Sequence, residues 1–100
     1  MLRLIKVSGQ SLSPEYHEGD FVLIAKIPFF FNSVKTGDVV VFNHPQYGKM
    51  IKKVERIDQG TGELFVIGSH DSSVDSRHFG PIGREALVGK VIWHIRKPAA

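Results

Sequence analysis

Apolar positions in this chain come in short runs separated by turn-forming residues, and rarely at the three-to-four spacing of a helix. Leu2 to Val7 alternates and carries β-branched residues, which predicts a half-exposed strand. Phe21 to Ile27 is apolar on both faces apart from Lys26, so a central place in a sheet is expected, with Pro28 interrupting it. Phe29-Phe30-Phe31 opens a connection that reaches a turn at Thr36-Gly37-Asp38, after which Val39 to Phe42 reads as a buried strand ended by Asn43-His44-Pro45. Tyr47-Gly48 is a turn, Lys49 to Ile57 the next strand, and Glu63 to Ile67 its hairpin partner across a loop with two glycines. Gly68 to Gly80 is polar and rich in Ser and Asp, and is expected as a loop lying on the domain; Pro81 to Leu87 has room for one helical turn. Val88 to Ile95 closes the pattern, with Val91, Trp93 and Ile95 expected on one face. The fold class is mainly β with little helix, as coiled antiparallel sheets or a distorted barrel.

Length and composition narrow the classes. One hundred residues, 42% of them hydrophobic, suit one compact domain over 1–100, with a frayed tail at 96–100. A net charge of +3 with Lys and Arg scattered along the chain does not indicate nucleic-acid binding. With no cysteine, disulfides and thiolate metal sites are excluded, and the five histidines lack a ligand-like spacing. No metal or cofactor is expected. The longest apolar runs fall far short of the roughly 18 residues a spanning helix needs, and charges break any signal-like segment at the N-terminus. A cytoplasmic location is the expectation, or a membrane-associated one if the natural chain carries an upstream anchor. The Phe29–Phe31 run reads as core packing, with a membrane-dipping patch as the alternative.

Two stretches carry candidate chemistry. Ser8-Gly9-Gln10-Ser11-Leu12-Ser13-Pro14 presents Ser11 on a turn that Pro14 prevents from continuing as a strand, which suits a loop serine as well as a nucleophile. In Lys49 to Ile57, strand alternation puts Met50, Lys52 and Val54 on one face and Ile51, Lys53, Glu55 and Ile57 on the other. Lys52 therefore has apolar neighbours on both sides, whereas Lys53 shares its face with Glu55. An unperturbed lysine is neutral in only about one molecule in 2,500 at pH 7, too few to serve as a base, and burial raises that fraction. A lysine that lines the core with its stem and keeps its ammonium wet fits the pattern equally.

The whole chain resembles the signal peptidase I family of Ser-Lys proteases. Val7 to Pro14 is similar to the family's nucleophile box, Gly37-Asp38-Val39-Val40-Val41-Phe42 to its Gly-Asp strand box, and Met50-Ile51-Lys52-Lys53-Val54 to the box that ends in the general-base lysine and a second basic residue. Gly68 to Arg77, with Phe79-Gly80-Pro81 and Leu87 to Val91, resembles the family's loop running from Gly-Asp-Asn to Ser-x-Asp-Ser-Arg and its trailing glycines. The resemblance implies Ser11 as nucleophile, Lys52 as base, Ser73 hydrogen-bonded to that lysine, and Asp75 paired with Arg77 beneath the site. Departures are Leu12 for the usual Met, Glu15 for Thr, Gly9 where some members carry an oxyanion-hole serine, and Ser69-His70 for Asp-Asn in a loop one residue short.

What the resemblance implies is a serine endopeptidase that removes a leader or signal segment from a precursor bound in extended form. Val7, Gly9, Leu12, Tyr16, Met50 and Ile51 are the expected substrate-binding residues, suited to small side chains before the cut. Short, unanchored members with this layout resemble the maturation proteases of nickel-type superoxide dismutase. The alternatives are the catalytic domain of a membrane-associated signal peptidase and a non-catalytic peptide-binding module on the same fold. A Ser11-His-Asp triad also stays open. A self-cleaving repressor-type relative would need a DNA-binding domain and an internal Ala-Gly peptide, and these residues contain neither.

Overall fold

A computed structural model describes residues 2–7, 19–26, 34–68 and 74–96. They form six strands, β1 (Leu2–Lys6), β2 (Phe21–Lys26), β3 (Val39–His44), β4 (Gly48–Ile57), β5 (Leu64–Ile67) and β6 (Leu87–Ile95), with one helical turn, α1 (Ser76–Phe79), and a 3-10 turn over Arg84–Ala86. All neighbours pair antiparallel in one sheet of order β1-β2-β6-β3-β4-β5. The chain is mainly β with little helix, and among the described residues the sheet is open. Phe29–Phe31, residues 69–73 and residues 97–100 lie outside the described residues.

Hairpin chemistry sets the local register. Between β3 and β4 the His44 ring accepts through Nδ1 from the backbone N–H groups of Gln46 and Tyr47, at 3.0 and 3.3 Å, and packs on the Phe79 ring. Between β4 and β5 the Asp58 carboxylate caps the loop by accepting from Gly60 and Thr61 N–H. The last strand, β6, inserts between β2 and β3. That insertion requires Gly89, because a Cβ there would stand 2.7 Å from the Ala25 carbonyl oxygen.

The two faces of the sheet bury separate cores. On one, Val40, Phe42, Val54, Leu64, Val66 and Leu87 pack under Val34, Ile82 and Phe79. On the other, Val7, Val22, Ile24, Val41 and Ile51 pack together. Bulges decide which residues join which face. Val54 pairs with Val66 but Arg56 with Phe65, so Glu55 is the extra residue, and Ile57 packs with Val54's core rather than on the face of Ile51. A second bulge leaves Ile92 unpaired between Trp93 and Val91. Val91 then shares the face of Ile24, while Trp93 and Ile95 are exposed on the opposite one, so these three residues do not share a face. The Gly68–Gly80 segment is not loop throughout, since Asp75 caps α1 within it.

Candidate active site

Lys52 lies on β4 ahead of the Glu55 bulge, where strict alternation holds. It pairs with Val40, shares the face of Val54 and is 1% exposed. Burial is the leading cause that lowers its pKa from 10.5; the Asp75 carboxylate opposes this, and the Arg77 guanidinium adds to it. Neutral amine is thereby enriched at Lys52. Lys53 faces the other way and is half buried.

The Asp75 carboxylate acts electrostatically on Lys52. Gly68 directly follows Ile67, the partner of Lys53 at the end of β5, and its N–H donates to Asp75 Oδ2 at 2.9 Å. Asp75 is the N-cap of α1, its Oδ1 accepting from Arg77 N–H at 3.0 Å. The Arg77 side chain wraps the same carboxylate, with Nη2 2.7 Å from Oδ2 and Nε 3.0 Å from Oδ1. Ser76 Oγ accepts from Val66 N–H at 2.8 Å and ties the turn to the sheet. Burial of Asp75 would raise its pKa, but the Arg77 side chain and the Gly68 and Arg77 N–H groups outweigh that and hold it at about 2. Asp75 is therefore a fixed negative charge with no exposed surface, paired to a guanidinium that is 40% exposed.

A small cleft of about 70 Å³ lies nearby, lined by Ile5, Val7, Val22, Val41, Met50 and Ile51, with Lys6 and Lys49 also at its walls. Val7, Met50 and Ile51 thus meet in one concavity. Ile51 belongs to the face opposite Lys52, and Met50 spans both, since it also packs against the core containing Val54. Lys52, Asp75 and Arg77 form one electrostatic group, and Val7, Met50 and Ile51 one apolar group, meeting along β4. Ser11, Gly9, Leu12, Tyr16 and Ser73 lie outside the described residues.

Sequence reasoning passed over Val22 and Val41 in the cleft and the pair Asp20–His94. The valines sit in runs that are apolar on both faces, where alternation gives no direction. For Asp20 the available signal was a carboxylate directly before a buried strand. No cluster of three or more His, Cys, Asp or Glu able to hold a metal occurs among the described residues.

Comparison with known proteins places these features in context. A family model described as Peptidase S24-like matches residues 1–92. Signal peptidase I V of Bacillus subtilis (strain 168) is 24% identical over 136 aligned residues, covering 86% of this chain and 81% of that protein.

Proposed function

The chain belongs to the Peptidase S24-like family, and from that premise we propose that it is a serine endopeptidase in which Ser11 is the nucleophile and Lys52 the general base. The observation that carries this reading is Lys52 itself: a buried lysine whose burial favours the neutral amine, beside an Asp75–Arg77 pair that is locked in place. Neutral Lys52 accepts the Ser11 hydroxyl proton as the oxygen attacks the scissile carbonyl carbon, and the Ser11 N–H donates to the developing oxyanion. The Lys52 ammonium then protonates the departing amine as the C–N bond breaks, leaving an acyl-enzyme. Water, giving its proton to Lys52, releases the new carboxylate and restores Ser11. Ser73 orients the lysine, and Asp75 with Arg77 holds the floor on which it lies.

Substrate is a precursor protein lying extended along the strands, with a small side chain in the cleft of Val7, Met50 and Ile51 and with Gly9, Leu12 and Tyr16 completing its walls. The specific role we favour is removal of a leader from a precursor in the cytoplasm, as in maturation of nickel-type superoxide dismutase. The test incubates the purified chain with such a precursor in the absence of detergent or lipid. One cut at the leader boundary, lost in Ser11→Ala and Lys52→Met, is the expected result. Full activity in either variant overturns the Ser-Lys mechanism.

A second reading, the catalytic domain of a membrane-associated signal peptidase, has its own support, the Bacillus relative being a signal peptidase. Leu2, Leu4, Phe21, Trp93 and Ile95 are exposed on one face of β1, β2 and β6, and these strands carry Arg3, Lys6, Lys26 and Lys90 but no Asp or Glu. No helix among the described residues is long and apolar enough to cross a membrane. Cleavage confined to membrane-inserted precursors would favour this reading over the first.

A further inference from the structure

Val7 follows β1, and Gly19 and Asp20 precede β2. Gly19 N–H donates to the Val7 carbonyl at 2.9 Å, Val7 N–H donates to the Asp20 carbonyl at 2.7 Å, and Gly19 has a φ of 94°. Gly19 and Asp20 thus oppose the single residue Val7 in a glycine bulge, a geometry that wants the left-handed backbone glycine supplies. The Asp20 carboxyl is 2% exposed and lies 2.7 Å from His94 Nε2, on a residue 74 positions further along the chain. His94 is on β6 opposite Val22, so the contact crosses from the bulge to the neighbouring strand. A carboxylate withdrawn from water is costly without hydrogen-bonding partners, and His94 is one such partner of Asp20. Val7, gripped by the bulge, is itself buried and lines the apolar cleft with Val22, Val41 and Ile51.

We propose that His94 is a positioning residue for the peptidase reaction: by holding the Asp20 carboxyl it locks the Gly19–Asp20 bulge onto Val7, fixing the cleft wall and the point from which the chain runs on toward Ser11. This rests on the peptidase reading above. His94 acts through Asp20 and Val7, not through contact with substrate, and the pair lies on the face of the sheet opposite Lys52's apolar neighbours.

The test uses the full chain with His94→Ala, His94→Gln and Asp20→Ala. It measures kcat and KM on a leader peptide, together with hydrogen exchange at the Val7 and Gly19 amides. Both alanine variants should lose about tenfold in kcat with KM held within about twofold, the size of effect that small misplacement produces. His94→Gln, which keeps a donor within reach of Asp20, should recover most of the loss. It also serves as the graded variant if alanine at either position does not fold. The Val7 and Gly19 amides should exchange about tenfold faster in His94→Ala, with the β3–β4 amides unchanged. A lower unfolding midpoint with unchanged kcat per folded molecule overturns the proposal, as does unchanged exchange at both amides. If the wild-type chain cleaves nothing, the peptidase reading has failed, and the exchange rates then decide by themselves whether His94 holds the bulge.

Discussion

Lys52 and Asp75 are both buried, and both have pKa values below their ordinary ones, yet the two shifts have opposite consequences for charge. At Lys52 burial leads, and it removes charge. At Asp75 burial is outweighed by two backbone N–H groups and the Arg77 guanidinium, which keep the charge on. The contrast separates a group poised to exchange a proton from one that stays ionised and braces its surroundings. The two are coupled, since the Asp75 charge limits how far the Lys52 pKa falls.

The strongest way to break the comparison is substitution of Lys52. Lys52→Met should lower kcat by about 10²–10⁴-fold or more, since it removes the proposed base. The same substitution should raise the melting temperature at neutral pH, by on the order of 5 °C, because an apolar side chain of similar length replaces a buried group that resists being charged. A lysine whose folded-state pKa lies below its unfolded value binds fewer protons when folded. Wild-type stability should therefore rise with pH up to about 10.5, and Lys52→Met should flatten that rise. Thermal unfolding across that range checks it.

Asp75→Ala should do the reverse to stability. It strips α1 of its N-cap and leaves Gly68 N–H and Arg77 without their acceptor, a loss of about 2–4 kcal/mol measured by urea unfolding. Acid isolates the ionic part. A carboxyl held at about 2 against an ordinary 3.8 contributes roughly 2 kcal/mol above pH 4, and that contribution fades as pH falls through about 2.

Activity should climb as pH rises past neutrality, following the neutral fraction of Lys52, with a midpoint below 10.5. An acidic limb near pH 6–7 that vanishes on replacing one histidine would favour a histidine base instead. The smallest effect belongs to Lys53→Met, which should change kcat less than about threefold, because Lys53 sits on the other face of β4, opposite Ile67. Side-by-side kinetics of the two methionine variants would make the contrast within β4 visible.

The same structure explains which parts were legible in the sequence. Alternation put Lys52 on the buried face with Val54 because the strand is regular from Lys49 to Val54. One residue later the Glu55 bulge reverses the parity, and Ile57 falls on the face that alternation had denied it. Trp93 and Ile95 parted from Val91 for the same reason, through the bulge at Ile92. A bulge adds a residue without altering composition, so a period of two carries straight through it. Strand order was legible only for the hairpins β3–β4 and β4–β5; the insertion of β6 between β2 and β3 depends on the close approach at Gly89. Asp75 and Arg77 came from the family resemblance, not from any local pattern. Asp20 and His94 meet across 74 residues, a separation at which neither spacing nor periodicity carries information.

The most direct measurement is the titration of Lys52 in the folded chain, followed through the chemical shift of its side-chain ε-carbon by NMR. A Lys52 midpoint clearly below 10.5, moving lower still in Asp75→Asn as the opposing negative charge is removed, is the expected result. A midpoint at or above 10.5 would leave Lys52 an ordinary ammonium at working pH and would contradict its role as the base.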